Sequence, residues 1–415
     1  VLRMTGLYWD QGQMLHPDEA NLVRGATYLN LQWGADPHFY AYGGLSLVAP
    51  RAVTALWSAF DPSLDVLAPH MLALAARWIS AWCSLGVVAL GPLIVRRAGA
   101  GPMAGAAVAW LLAMDVGLIQ AAHFGTTDAP LVFVLAALVY LAIRFTGGGL
   151  GTAAWVLLSG AVLGAGVALK VSAAPMALVP VTAGLMQARR LGLRTTLVAA
   201  LTGPVVAAAV FAAFNPHAFI FWNDFTSIMD FEAGVVSGRN DVFWTLQFIG
   251  QPPFFLVAQM PWMSGPLLPG LGLAGVLAMP LAAWRKNTVA RSLLPLVVFA
   301  IAWFIYLATV HAAFIRYLLP LSLPLAIGAV WLILELAGRW RGPATWALIL
   351  VSTLWALAFS TIYRTEDSRI VASRWLVSAA KPTDVLIFEP SDSPMPTGML
   401  DPPPYERLQL DLREE

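Results

Sequence analysis

The sequence predicts an all-α polytopic membrane protein, and three observations point to this class. Hydrophobic residues make up 59% of the 415-residue chain and charged residues only 11%, which lies outside the averages of soluble domains. The apolar residues are gathered into segments close to the ~20 residues that a helix needs to cross a bilayer. The 17 tryptophans are typical of side chains that anchor a protein at membrane surfaces.

Residues 1–69 contain no apolar run long enough to span a bilayer, and prolines divide them into short helical patterns. We expect an outer-face loop domain with interfacial helices. Its most informative stretch is HPDE, His16 to Glu19. A proline followed by two acids suits any helix start, but two carboxylates beside several aromatic residues at a membrane surface could also accept a proton from a hydroxyl.

The transmembrane helical domain is predicted over residues 70–363, with a long outer loop at 215–252. We predict ten spans, some of them short for a bilayer. The apolar segments are 73–95, 102–121, 129–145, 153–169, 171–187, 195–214, 264–284, 292–310, 317–337 and 343–363.

Charge sets the expected orientation. Alternate connections hold eleven basic residues, with Glu335 the acid near them, and basic loops face the cytoplasm. The first 69 residues, the TTDAP turn, Lys170, Arg316 and the tail are therefore expected on the extracytoplasmic face. The basic residues are Arg96, Arg97, Arg144, Arg189, Arg190, Arg194, Arg285, Lys286, Arg291, Arg339 and Arg341.

The ends of the chain carry two further expectations. Ten spans would place both ends outside, which favours one more helix before Val1. Residues 364–415 contain a helical pattern, SRIVASRWLVSAA, and a strand pattern, DVLIFEP. They predict a short extracytoplasmic α/β segment that is too small to bury a core alone.

Ionisable residues at span ends are the candidates for chemistry. Asp128 follows two threonines at a helix start, and this sequence is typical of a helix cap. It is also expected on the same outer face as Asp18. Lys170 interrupts a long apolar stretch, and Arg316 precedes a late span. A charged residue at membrane depth suggests a functional site with a partner, although a snorkelling lysine or a surface ion pair is the alternative. The arginine fork suits a phosphate.

Histidines could add to this set. His16 opens the HPDE stretch, and His123 ends the helix before TTDAP. A histidine can ligate a metal or donate to a phosphate, but a lone histidine at a helix end commonly bonds to backbone. Asp115 lies within an apolar segment, and the sequence assigns it no partner.

These motifs together resemble the GT-C membrane glycosyltransferases. The resemblance rests on the outer acid pair, TTDAP before a span, a lysine between two short helices, NPH opening the 215–252 loop, and RYLLPL before a late span, in that order over residues 5–325. It is strongest to the family 39-like group that uses phospholipid carriers, which includes protein O-mannosyltransferases and the lipid A aminoarabinose transferase.

The resemblance implies a GT-C-type helical bundle in a bacterial-type cytoplasmic membrane. It also implies inverting transfer of a sugar from a polyprenyl-phosphate carrier to an acceptor hydroxyl or amine on the outer face. Asp18, with Glu19 beside it, would be the base or acceptor-positioning carboxylate, and Asp128 the second acid. The carrier phosphate would be held by Lys170, Arg316 and Tyr317.

The cofactor and the partners stay open. A divalent metal could be held by Asp18, Glu19, His123 and Asp128 as an oxygen-rich site. This chain has His123 where many relatives carry an arginine shortly before the second acid. The net charge of +1 excludes nucleic acid as an expected partner, and membrane lipids are expected partners. The single cysteine, Cys83, excludes a disulfide within the chain.

Two other functions compete with the transferase. The chain could be a non-catalytic, glycosyltransferase-like subunit of a larger membrane complex, with its acids serving as helix caps. It could also be a lipid or ion transporter that uses Lys170 and Asp115. Transporters typically show internal repeats, which are not evident in this sequence.

Overall fold

A computed structural model describes residues 1–29, 36–381, 383–388, 395 and 406–410. In the described residues, the predicted outer domain holds two helices. Proline at the first position of the first helix supplies the fixed backbone angle that a helix start favours. These helices are α1 (Pro17–Tyr28) and α2 (Gly44–Ser58).

The first half of the bundle follows. Its helices are α3 (Pro69–Arg97), α4 (Pro102–Ala113), α5 (Val116–His123), α6 (Asp128–Thr146), α7 (Thr152–Leu169) and α8 (Leu178–Phe214). Helices α4 and α5 meet at a bend of 50°, where the Asp115 carboxylate accepts a hydrogen bond from the Leu118 amide at 2.8 Å. Asp115 is therefore the N-cap of α5, and Ser322 Oγ lies 3.3 Å from the same carboxylate oxygen. These contacts supply the partners that the sequence did not identify.

The outer loop and the second half of the bundle complete the membrane domain. The loop carries α9 (Pro216–Ile220), α10 (Trp222–Ser237) and a 3-10 segment at Phe243–Phe248. The later helices are α11 (Phe255–Ser264), α12 (Leu268–Trp284), α13 (Thr288–Ser292), α14 (Leu294–Leu307), α15 (Ser322–Leu336) and α16 (Arg341–Ser360).

Two 3-10 segments precede spans, and one of the predicted cations lies at or directly before the start of each. Lys170 stands directly before Val171–Ala177, and Arg316 lies in Ile315–Leu321. Each segment contains a proline, Pro175 or Pro320, which cannot donate the backbone hydrogen bond of a regular helix. Proline therefore explains why the chain enters these spans through tight turns. Two shorter 3-10 turns lie at Gly338–Trp340 and Thr361–Arg364.

Each of the ten predicted apolar segments overlaps helix, but fewer helices meet the length of a span. In the described part of the chain six helical stretches are long and apolar enough to cross a membrane, or eight if each of two bent pairs is one span. The predicted segments 171–187 and 195–214 lie in one stretch, Val171–Phe214. Gly192, at φ 74°, interrupts the helical backbone between them. Helix α14 has only 14 residues. The count of ten stays a prediction.

The tail forms the predicted helix and strand. Helix α17 (Ser368–Ala379) is followed by β1 (Val385–Phe388), which pairs in parallel with β2 (Glu406–Gln409). The all-α membrane fold with a short α/β end is thereby confirmed. Helix α17 docks on the N-terminal segment, because Arg369 Nη1 donates to the Leu15 carbonyl at 3.0 Å and Arg374 Nη2 to Gln11 Oε1 at 2.8 Å. Much of PPPYERLQLDLREE lies outside the described residues.

One buried arginine joins the outer domain to the bundle. Arg77 of α3 is 1% exposed, and its guanidinium binds Asp10 at 2.6 and 2.8 Å. Its Nε also donates to Glu19 Oε1 at 2.7 Å, and its Nη2 pairs with the other oxygen of Glu19. Both carboxylates are fully buried, so the fork of Arg77 satisfies two charges that would otherwise be very unfavourable inside the protein.

Helices α12 and α15 approach each other to backbone contact. A Cβ atom on Gly275 would overlap the carbonyl oxygen of Gly328, and one on Gly272 would lie 2.5 Å from the Leu325 carbonyl oxygen. Small residues let membrane helices approach to backbone contact. The glycines therefore fix the distance between α12 and α15.

We predict that Gly275→Ala lowers the free energy of unfolding by about 1–3 kcal/mol, because the added methyl group forces the two helices apart. Thermal unfolding in detergent measures the effect. Gly270→Ala, on the same helix with open space around it, is the matched control and should be neutral or slightly stabilising. Equal unfolding temperatures for the two variants would contradict this account of the interface.

We predict that Arg77→Met lowers the free energy of unfolding by about 3–5 kcal/mol, since it leaves two buried carboxylates unpaired. Arg77→Lys keeps the positive charge but not the forked guanidinium, so its loss of unfolding free energy should be intermediate. The control is Arg374→Met, which removes an exposed arginine paired with Glu366 and should change stability by less than about 1 kcal/mol. Matching unfolding temperatures for Arg77→Met and Arg374→Met would refute the anchoring role.

Candidate active site

Asp18 and Glu19, predicted together as catalytic residues, face different partners. Successive residues of a helix project about 100° apart. Asp18 pairs with Arg316, whereas Glu19 pairs with Arg77 and accepts a hydrogen bond from the Gly125 amide at 2.7 Å. The structure therefore brings Asp18 to the predicted cations and places Glu19 in the anchor between α1 and the turn before Asp128.

The Asp18 carboxylate is held in its charged form. Burial on its own would raise the pKa of Asp18, but the positive charge of Arg316 above all, with that of Lys170, keeps that pKa below its ordinary value. The ion pair is partly open, since the side chains of Asp18 and Arg316 are 21% and 29% exposed. Asp18 is therefore an anion at neutral pH.

Asp128 and Lys170 complete the cluster. Asp128 is the first residue of α6, with Thr127 as the N-cap, and the Thr126 hydroxyl donates to its carboxylate at 2.9 Å. The Lys170 ammonium lies 4.6 Å from the centre of the Tyr42 ring. The charges of Asp18, Asp128 and Arg316 all act on Lys170. The four charged residues expected to converge therefore do so.

Two adjoining cavities meet at this cluster. The larger measures about 620 Å³, and its lining includes His16, Phe124, Trp262 and Trp355. The smaller measures about 430 Å³, and its lining includes Lys170, Glu232, Tyr306 and Tyr317. Asp128, Arg316 and Leu319 line both cavities. A charged wall therefore separates two spaces, each large enough for part of a substrate.

Arg316 is the central element of this wall. One end of its guanidinium pairs with Asp18, but its Nε is buried without a hydrogen-bond partner. A buried donor with no acceptor is unfavourable. Asp18 itself lines neither cavity and reaches the wall through Arg316.

The two histidines differ in their surroundings. His123 Nδ1 lies 2.8 Å from the Ile119 carbonyl and Nε2 lies 2.9 Å from the Thr5 carbonyl. Its ring also stacks on Tyr363 at 3.5 Å, so neither nitrogen faces a ligand. His16, in contrast, lines the larger cavity with its Nδ1 buried and unpartnered. Burial lowers the pKa of His16, so His16 is neutral at pH 7.

The predicted metal ligands do not form a metal site. Glu19 is bound to Arg77, and both nitrogens of His123 face carbonyl groups. Within the described ranges, which omit 30–35 and parts of the tail, no group of three or more acids, histidines or cysteines could hold a metal ion. Among the described residues, the predicted ligands therefore do not fit a metal ion.

Sequence reasoning missed Arg77 and Glu232. Arg77 lies inside an apolar span, which is the same signal that singled out Lys170. Glu232 lies in the outer loop among many polar residues, and only the folded chain brings it to Lys170. No local pattern could have identified Glu232.

Comparison with known proteins agrees with this architecture. A family model described as dolichyl-phosphate-mannose-protein mannosyltransferase matches residues 56–206, a segment that includes Arg77, Asp128 and Lys170. No curated protein sequence matches the chain.

Two of the proteins whose solved structures resemble this one are a bacterial and an archaeal transferase. The structure resembles ArnT from Cupriavidus metallidurans bound to undecaprenyl phosphate, at 15% identity and a TM-score of 0.57, over 99% of this chain and 84% of that one. It also resembles the oligosaccharyltransferase of Archaeoglobus fulgidus, at 14% identity and a TM-score of 0.52, over 88% of this chain and 54% of that one. The predicted resemblance is thus confirmed at the level of the fold: the chain is an integral membrane protein with the fold of the GT-C glycosyltransferases.

Proposed function

We propose that the protein transfers a sugar, a hexose or a pentose, from a polyprenyl-phosphate carrier to an acceptor hydroxyl or amine, with inversion at the anomeric carbon. The observation that carries this proposal is the convergence of Asp18, Asp128, Lys170 and Arg316 where two cavities meet. The choice of carrier is supported by the similar folds of ArnT bound to undecaprenyl phosphate and of the archaeal oligosaccharyltransferase bound to dolichol phosphate.

Lys170 and Arg316 hold the carrier phosphate. As the bond between the sugar and the phosphate breaks, negative charge grows on the departing phosphate, and cations placed there stabilise the transition state. The Nε of Arg316 has no hydrogen-bond partner, so it can donate to the phosphate as Arg316 turns away from Asp18. Tyr317, in the same cavity wall, adds a hydroxyl donor beside them.

Asp18 receives the proton of the acceptor. When Arg316 turns toward the phosphate, its hold on Asp18 loosens and the carboxylate faces the cavity. The acceptor oxygen or nitrogen attacks the anomeric carbon on the side opposite the phosphate, and Asp18 takes the proton. The phosphate leaves with the electron pair of the broken bond. Asp128, held by Thr126, orients the acceptor.

The transfer takes place on the extracytoplasmic face. Support comes from the basic connections, some of which meet at one end of the bundle. Arg144 Nη2 donates to the Gly149 carbonyl at 2.7 Å, and Arg97 and Arg190 approach the same glycine-rich turn. Basic loops mark the cytoplasmic side, and the site lies at the other end of α6 and α7 from this turn.

We predict that Asp18→Asn lowers transfer by at least about a hundred-fold, because the amide cannot accept the proton. The assay offers undecaprenyl-phosphate hexoses and pentoses to the protein in lipid nanodiscs and measures release of undecaprenyl phosphate. Asp65→Asn, an exposed change in the same outer domain, should be silent. Retained turnover in a folded Asp18→Asn variant would remove Asp18 from the mechanism.

We predict that Lys170→Gln weakens binding of undecaprenyl phosphate by about ten-fold, the effect of losing one charge-assisted hydrogen bond. Tryptophan fluorescence in nanodiscs can follow the titration. The control is Lys286→Gln, an exposed lysine in a basic connection, which should bind like the wild type. Unchanged affinity in Lys170→Gln would exclude Lys170 from the phosphate site.

A further inference from the structure

Glu232 is an acid inside the smaller cavity that the proposed transfer does not use. It lies on α10 of the outer loop and lines the cavity together with Lys170, Arg316 and Tyr317. The charges of Lys170, Asp18 and Arg316 all act on it. No described residue hydrogen-bonds the Glu232 carboxylate. Neither of its oxygens is one of the buried side-chain atoms that lack a hydrogen-bond partner. The group therefore faces open cavity space.

The fold holds this carboxylate in place. The carbonyl of Val236, one turn further along α10, accepts a hydrogen bond from the His311 amide at 2.8 Å. Gly238 ends the helix at φ 75°, where a Cβ atom would lie 2.8 Å from the His311 ring. Helix α10 is thereby fastened to the chain that leads into Arg316, so Glu232 and Arg316 keep a set spacing.

A carboxylate at this position opposes the binding of a bare phosphate. It repels the phosphate anion and partly cancels the attraction of Lys170 and Arg316. Burial raises the pKa of Glu232, because the charged form loses hydration there, and no described residue donates a hydrogen bond to it. A ligand that carries hydrogen-bond donors beside its phosphate would satisfy both the cations and the acid.

We propose that Glu232 determines sugar specificity by accepting hydrogen bonds from the hydroxyl or amino groups of the carrier's sugar while Lys170 and Arg316 hold its phosphate. The inference rests on the proposed transfer and deepens it. Carboxylates accept from two adjacent donors at once, and a site built to bond such donors rejects ligands that lack them.

The test compares wild type, Glu232→Gln and Asp230→Asn in nanodiscs. Asp230 lies on the same helix but pairs with Arg239 at the exposed surface, so Asp230→Asn makes the same charge change outside the cavity. We expect Glu232→Gln to bind sugar-free undecaprenyl phosphate about five-fold more tightly, because a like charge is removed. Its kcat/KM for the sugar-bearing carrier should fall by about ten-fold or more. Asp230→Asn should match the wild type in both assays.

Opposite changes in the two assays support the proposal, and the carrier that loses most turnover shows whether hydroxyl or amino groups are bound. No change in either assay overturns it. A parallel loss of binding and turnover also overturns it, because removal of a repelling charge cannot weaken the binding of a bare phosphate. A wild-type protein that neither binds undecaprenyl phosphate nor transfers any sugar would instead refute the underlying function.

Discussion

The buried guanidinium of Arg77 is the interaction on which the site depends. It binds Asp10 in the N-terminal segment and Glu19 in α1, and Glu19 in turn accepts the Gly125 amide just before α6. These bonds fix α1 against the turn that leads to Asp128. Asp18 lies one position before Glu19 on α1, so its position relative to the bundle is fixed as well.

Charges of alternating sign give the site its chemical character. Asp18, Arg316, Asp128 and Lys170 balance one another in a partly buried space, where each interaction is stronger than in water. For the proposed transfer this arrangement is preorganised, since the cations already stand where the carrier phosphate would bring negative charge. In that proposal only Arg316 changes partner when the phosphate enters, and its Nε has no hydrogen-bond partner to lose.

The sequence predicted the membrane fold well because hydropathy and helix length are local properties of the chain. It also identified Lys170 and Arg316, since a charge beside an apolar segment demands a partner. It could not separate Asp18 from Glu19, which are neighbours with the same chemistry. Only a partner 58 positions away, Arg77, decides that Glu19 serves as an anchor. For His123 the sequence left a ligand role and a backbone-bonded role open, and its contacts with the Ile119 and Thr5 carbonyls agree with the second.

The most direct test of the central claim is a cryo-electron microscopy structure of the protein in nanodiscs with undecaprenyl phosphate. The account predicts phosphate density within hydrogen-bond distance of Lys170 Nζ and Arg316 Nε, with the ion pair between Arg316 and Asp18 opened. Phosphate density elsewhere on the protein, with that ion pair intact and both cavities empty, would contradict it.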